Sequence, residues 1–367
     1  MARRCLFVWE NLGPMHEDRL AATVARFPGK VTAIQFWPAS DTYAWAAGAH
    51  AVPTRTLLPA PAGSVGVRFA WRLFRACRRD GAADVYLCHY QLWSVLLAAI
   101  LLRLTGRRVF CMIDSKFDDY ARWLPRELVK TLFLACYSGA FVSSDRSRDY
   151  LRFLGFRRRP VALGYDCLSV DRIRAQAACP PAPDGMAHAA RDFLVIARLV
   201  PKKNLSLALE AYALARASGS TRKLRILGSG PCEAALRGQA QSLGIGDGVV
   251  FAGFVQTGEV STALGQALCL ILPSHEEQFG LVVIEAMAMG VPVLVSINAG
   301  AVDTMIDNGV NGWIVDPRSP RALTAAMQRL AAEPDAWAAM ARAAQADSAR
   351  GDTAVFVAGI EALSSQR

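Results

Sequence analysis

Pro273-Ser274-His275-Glu276-Glu277-Gln278-Phe279-Gly280-Leu281-Val282-Val283-Ile284-Glu285-Ala286-Met287-Ala288-Met289-Gly290-Val291-Pro292-Val293 is the stretch that decides the fold. It follows Cys269–Leu272, a short apolar run closed by a proline, which reads as a buried strand. A polar loop comes next, and a helix is predicted to begin near Phe279–Gly280. After Gly290 the run Val291–Val295 reads as the following strand. Strand, loop, helix and strand in this order make a βαβ unit, the building block of parallel sheets covered by helices.

The same alternation extends in both directions. Towards the C-terminal side Trp313–Val315 reads as a strand; before the quoted stretch, Phe193–Ala197, Leu224–Leu227 and Val249–Ala252 do so. In the first half the expected strands are Cys5–Trp9, Val31–Phe36, Asp84–Cys88, Val109–Ile113 and Gly139–Val142, with helices over Val67–Arg79 and Leu92–Leu104. The 367 residues are about twice a usual single domain. The prediction is α/β, with two doubly wound Rossmann-like domains. The expected boundaries are 1–174 for the N-terminal domain, 175–190 for a linker containing Pro180, Pro181 and Pro183, and 191–345 for the C-terminal domain. A C-terminal helix over 346–367 is expected to pack back on the first domain.

Composition narrows the function classes. Hydrophobic residues make up 53% and charged residues 20%, which excludes a disordered chain. Nine cysteines are scattered singly without a CxxC pair, which speaks against a disulfide framework or zinc site and fits a reducing cytoplasm. Residues 1–180 hold 26 basic against 14 acidic side chains, and residues 181–367 hold 15 against 17. The excess positive charge therefore lies in the first half, which suits phosphates, nucleic acid or an acidic membrane surface, or serves solubility alone. No signal h-region is visible, and the longest apolar run, Leu92–Leu102, stops at Arg103, short of a membrane span. A soluble or peripheral protein is expected. No RNA-binding motif or helix-turn-helix accompanies the basic half, so nucleic acid is not expected as a partner.

In doubly wound folds ligands bind beyond the carboxyl ends of the strands. The first such loop of interest is Arg198-Leu199-Val200-Pro201-Lys202-Lys203-Asn204. A guanidinium fork and an ammonium point charge there suit a pair of phosphates, and an ordinary solvated turn fits equally well. Gly228-Ser229-Gly230-Pro231 either lets the backbone approach a ligand or makes a tight turn. Glu277 lies before the predicted helix and Glu285 within it, eight residues on, while the helix start offers free amides to an anion between them.

Taken jointly, Ser274-x-x-Glu277-x-Phe279-Gly280, Glu285-Ala286-Met287-Ala288 and Gly290-x-Pro292-Val293 closely resemble the E-x7-E signature of the retaining family 4 glycosyltransferases. The Arg198–Lys203 loop, the Gly228–Pro231 turn, Asn311-Gly312 and Asp316-Pro317 fall where that family has matching features, so the resemblance covers nearly all of residues 190–335. It implies the GT-B fold, two Rossmann-like domains facing each other across a cleft. It also implies roles. Arg198 and Lys203 would hold the diphosphate of a nucleotide-sugar and stabilise it as it leaves. Glu285 would accept hydrogen bonds from the ribose hydroxyls, and Glu277 would contact the donor sugar. Backbone amides at Phe279, Gly280 and Leu281 would lie near the sugar and phosphates. Such enzymes lack an Asp-x-Asp metal site, and no cofactor or essential metal is expected. Asn204 stands where many members have Gly.

The N-terminal half is expected to bind the acceptor. Its first strand exits into Glu10-Asn11-Leu12-Gly13-Pro14-Met15-His16-Glu17-Asp18-Arg19, where Gly13 offers a close approach to the phosphates and His16 or Arg19 faces the cleft. A solvated helix start accounts for the same residues. Asp114, after Val109–Ile113, stands where many members place a His. Ser115-Lys116-x-Asp118-Asp119 and Gly164-Tyr165-Asp166 resemble a branch linked to surface polysaccharide assembly, which would put Asp114, Lys116 or Asp119 on the acceptor side. His89, at the end of Asp84–Cys88, is a further candidate and equally a strand-end histidine. Val67–Arg79 has Arg and aromatic residues at helical spacing, as a basic interfacial helix would, and Arg157-Arg158-Arg159 is expected to extend its face. The alternative buries Trp71 and Phe74 in the core.

These features together predict a retaining glycosyltransferase acting on a glycan acceptor, lipid-linked, with peripheral contact to an anionic membrane on the inner face of the plasma membrane. The rival readings are a GT-B epimerase or phosphorylase, and a non-catalytic nucleotide-sugar-binding scaffold subunit.

Overall fold

A computed structural model describes residues 3–38, 50–60, 66–120 and 122–365. They form two compact units, residues 1–169 with 353–367, and residues 170–352.

The first unit holds seven parallel strands: β1 (Cys5–Trp9), β2 (Val31–Gln35), β3 (Thr54–Thr56), β4 (Asp84–Leu87), β5 (Arg108–Ile113), β6 (Gly139–Val142) and β7 (Val161–Leu163), in the order β3-β2-β1-β4-β5-β6-β7. β1, β4 and β6 are buried along their whole length, as expected of strands covered by helices on both faces. β3 and β7 were not expected. Each has three residues, too few for a periodic apolar signal, and β3 is largely exposed at the sheet edge.

The second unit holds β8 (Asp192–Ile196), β9 (Leu224–Leu227), β10 (Val249–Gly253), β11 (Ala267–Leu272), β12 (Val293–Ser296) and β13 (Gly312–Val315), in the order β10-β9-β8-β11-β12-β13 and again all parallel. β11 is wholly buried at the centre. The helix Leu281–Ala288 runs from the β11 exit loop back to β12, the βαβ unit read from the sequence.

The stretch 175–190 is not a free linker; it belongs to the second unit. The Ala182 amide donates to the Met289 carbonyl (2.7 Å), and the buried Arg191 guanidinium donates to the carbonyls of Ala182, Met186, Gly265 and Ala267. A Pro- and Ala-rich composition mimics a linker, yet its carbonyls can be held by one arginine fork. The chain changes unit at Ser169/Val170 instead. It returns at Thr353, and the helix Thr353–Ser365 adds Phe356, Ile360 and Leu363 to the core of the first unit.

Candidate functional site

In each sheet the strand order reverses once, between β8 and β11 in the second unit and between β1 and β4 in the first. The loops leaving such a pair of strands diverge and open a crevice. The candidate residues gather at these two places.

In the second unit the β8 exit carries Arg198 and Lys203, and the β11 exit carries Ser274 to Gly280. The Lys203 ammonium contacts the Glu277 carboxylate, and the buried Ser274 hydroxyl donates to the same Glu277 Oε2 at 3.1 Å. The Lys202 carbonyl accepts from the His275 amide (2.9 Å), so the two loops are also joined through their backbones. Asn204 adds a third connection. Its side-chain amide donates to the carbonyls of Pro273 (3.0 Å) and Pro317 (2.8 Å), tying the exits of β8, β11 and β13 together. Asn204 sits at φ 54° and ψ 40°, a left-handed conformation that Asn or Gly adopts most readily. This explains why either residue suits the position.

Gly280 caps the helix Leu281–Ala288 at φ 102°, and a Cβ there would press on Leu272 and the Glu277 side chain. A glycine is required both for the turn and for the position of Glu277. Phe279 is buried and its carbonyl accepts from the Ala301 amide (2.9 Å), which fixes the helix start against the loop after β12. Leu281 begins the helix, so its amide lies in the first turn, where no intrahelical partner exists. Glu285 stands one turn further on, half-buried. Gly228 and Gly230, after β9, are both at positive φ. A Cβ on Gly228 would come within 1.9 Å of the Ala197 carbonyl oxygen, and one on Gly230 within 2.5 Å of the Leu199 oxygen. These glycines let β9's exit press against the backbone that carries Arg198.

In the first unit, Gly13 caps the helix Pro14–Arg26 at an ordinary extended φ of −109°. Its amide donates to His16 Nδ1 (3.0 Å), which leaves the ring proton on Nε2. The His16 ring lies 4.8 Å from that of Trp9. Burial, with Arg19 and His89 nearby, holds His16 well below the ordinary imidazole value, so it is neutral at pH 7. His89 leaves β4 at φ 53°, and its Nε2 lies 3.7 Å from Glu10 Oε2. Burial also lowers its pKa. At φ 53° His89 takes the left-handed conformation, uncommon for a residue other than glycine.

The remaining candidates of this unit divide. Asp114, directly after β5, is half-buried, and desolvation with Asp166 beside it pushes its carboxyl up to about 7. Arg19 does not face a crevice. It is buried, with its guanidinium 2.9 Å from Asp166 and 3.2 Å from the Cys167 carbonyl. Lys116 and Asp119 are buried against each other at 2.9 Å, and Asp119 also accepts from the Lys116 amide. Arg19, Lys116 and Asp119 are thus each held in a buried ion pair in the loops around Asp114. Reading the sequence named Ser274, Asn204 and Glu10 in their loops but gave them no role in the site. The Ser274-x-x-Glu277 spacing, which places a hydroxyl within reach of a carboxylate three residues on, was the available signal for the first.

Residues 185–347 match the family model described as glycosyl transferases group 1. The matched segment covers less than half of the chain. It contains Arg198, Lys203, Glu277 and Glu285. The chain is 31% identical over 195 residues to the putative colanic acid biosynthesis glycosyltransferase WcaL of Escherichia coli, covering 52% of this chain and 46% of that protein. It is 32% identical over 149 residues to the amylovoran biosynthesis glycosyltransferase AmsK of Erwinia amylovora, covering 39% and 36%. The chain thus spans less than half the length of these curated relatives. Among solved structures, Anabaena HepE in complex with UDP and glucose superposes with a TM-score of 0.77 over 99% of this chain and 100% of that one, at 19% identity. The two units are therefore Rossmann-like folds of the GT-B class.

Proposed function

We propose that the chain is a retaining glycosyltransferase that moves a sugar from a nucleotide-sugar to a glycan acceptor in surface polysaccharide biosynthesis. The observation that carries this reading is the meeting of Lys203, Glu277 and a helix start at the switch point between β8 and β11. Cation, carboxylate and first-turn amides within one loop cluster suit a diphosphate bonded to a sugar. Relatives named for colanic acid and amylovoran biosynthesis support the polysaccharide assignment, and the UDP in HepE supports a nucleotide-sugar donor.

In this reading Arg198 and Lys203 bind the diphosphate, Glu285 takes the ribose hydroxyls, and Glu277 orients the donor sugar. The bond from the anomeric carbon to the phosphate oxygen breaks as positive charge builds on the sugar ring. The acceptor oxygen bonds to the same face, and its proton passes to the departing phosphate. Arg198, Lys203 and the helix start stabilise the charge that develops on that phosphate, so no divalent ion is assigned to the step. Asp114 binds a hydroxyl on the acceptor side, and His16 and His89 lie on the same unit. The acceptor is lipid-linked, and the enzyme works at the inner face of the plasma membrane. No helix among the described residues is long and apolar enough to cross a membrane.

Thermal shifts with UDP-, GDP- and ADP-sugars, each with Mg²⁺ or EDTA, test the donor site. A saturating donor at a hundredfold excess over its Kd stabilises the fold by about 2.7 kcal/mol. A shift with one nucleotide class that persists in EDTA and is lost in Glu285→Ala is expected. No shift with any of them overturns the donor assignment. A shift without transfer to any glycan fraction would favour the scaffold reading.

A further inference from the structure

The helix Leu124–Leu134 has its polarity reversed. Its charged residues Glu127 and Lys130 are buried. The Lys130 ammonium lies 2.9 Å from Glu127 Oε1 and 2.7 Å from the Tyr150 hydroxyl, which in turn donates to Glu127 Oε2. The Arg122 guanidinium donates to the same hydroxyl at 2.9 Å. Leu124, Leu128 and Leu132, spaced one per turn, are 69%, 66% and 72% exposed, and Trp123 just before them is 68% exposed. An amphipathic helix of a globular fold turns such residues inward. Here the buried ion cluster fixes the roll of the helix, because rotating the leucines inward would leave Glu127 and Lys130 unpaired.

The apolar surface continues beyond the helix. Tyr120 lies under the Arg122 and Arg126 guanidiniums, and Phe117 and Phe153, both about half exposed, pack edge to face at 5.2 Å. Exposed basic side chains frame it. Arg126 is on the helix itself. Arg159 donates to the carbonyls of Leu134 and Tyr137, which sets the exposed Arg157 and Arg158 beside the helix's C-terminal end.

We propose that this face seats the enzyme on an anionic lipid bilayer. Trp123, Leu124, Leu128 and Leu132 enter the boundary of the acyl chains, while Arg126, Arg157 and Arg158 meet headgroup phosphates. A second copy of the chain fits less well. An eleven-residue helix offers a stripe about 16 Å long and 10 Å wide, far short of the about 800 Å² each partner buries in a stable interface. Two such faces would also oppose their arginines. The helix Val67–Asp80, in which the sequence pattern suggested the membrane seat, buries Phe69, Leu73 and Phe74 and exposes Trp71 among arginines, so its contribution is electrostatic. The proposal rests on the reading of a membrane-borne acceptor and names the surface that reaches it.

Sedimentation of the full chain with phosphatidylcholine vesicles, with and without phosphatidylglycerol, tests it in the absence of nucleotide and acceptor. Binding to the anionic vesicles is expected. Leu128→Glu with Leu132→Glu should weaken it at least tenfold. Arg157→Gln and Arg158→Gln should each weaken it about fivefold at low salt. Trp71→Glu should have a smaller effect than the leucine pair. The UDP-sugar thermal shift, run on the same samples, should not change in the leucine variant, so a failed donor reading shows separately from a failed membrane face. The proposal is overturned if the wild type stays in the supernatant, if the leucine variant binds like wild type, or if light scattering shows a dimer that the leucine variant converts to monomer.

Discussion

Lys203 and Glu277 stand on different strand exits, 74 residues apart in sequence, and the fold brings ammonium and carboxylate into contact. Both side chains are largely covered, so the pair is screened less than a surface salt bridge. In the proposed reaction each partner holds the other in place until the donor arrives. Lys203→Ala and Glu277→Ala should each lower kcat/KM by about a hundredfold or more. The double variant should lie within about tenfold of the worse single one, because residues acting as a unit are not additive. Fully additive losses in steady-state kinetics would mean that the contact has no part in turnover.

Asn204 separates two contributions. Asn204→Gly keeps the left-handed backbone accessible but removes the hydrogen bonds to Pro273 and Pro317, at a cost of about 1–2 kcal/mol. Asn204→Ala also incurs the strain of positive φ, about 1 kcal/mol more. Denaturant unfolding should therefore rank Asn above Gly and Gly above Ala. Donor affinity should fall in both variants, since the loop carrying Lys203 loses its anchor.

Gly228 and Gly219 both have positive φ, yet nothing lies within 4 Å of a Cβ on Gly219, whereas one on Gly228 meets the Ala197 carbonyl oxygen. Gly219→Ala should cost about 1 kcal/mol from the backbone alone. Gly228→Ala should cost at least about 3 kcal/mol, because strand exits must separate. Equal melting temperatures for the two variants would show that the β8 and β9 exits are not tightly joined.

Asp114 gives a pH dependence with a definite sign. Its folded carboxyl keeps the proton up to about pH 7, while the unfolded chain releases it near the ordinary aspartate value of 3.8. The folded state therefore binds more protons between these values, and its stability falls as pH rises through that window. Asp114→Asn removes this slope. It should stabilise the protein by up to about 4 kcal/mol at pH 8 and have little effect at pH 4, measured by urea unfolding across the range. If the ionised form supports charge on the sugar ring, kcat should rise through pH 7 in the wild type and stay flat in the variant.

The fold was legible because buried parallel strands are uniform apolar runs, and eleven of them have four or more residues. β3 and β7 were not, since three residues carry no period. The proposed donor site was legible for a related reason. Glu277, Gly280 and Glu285 are bound to one strand–loop–helix segment, so their spacing in sequence is nearly their spacing in space. The first unit lacked that advantage. Arg19 finds Asp166, and Lys130 finds Tyr150, only after folding, and a charged side chain buried by a distant partner looks in sequence like one facing solvent. The same blindness hid the helix Leu124–Leu134, in which Glu127 and Lys130 occupy the inner side and the leucines the outer.

The helix Thr353–Ser365 has a consequence for synthesis. Residues 170–352, 183 in all, must be made between the last strand of the first unit and the helix that supplies Phe356, Ile360 and Leu363 to its core. At about 5–20 residues per second, translation leaves that core open for about 10–40 s, while the intervening unit already has its own continuous chain. The intervening unit can thus fold on the ribosome before the first unit has closed, while the places of Phe356, Ile360 and Leu363 in that core are still empty.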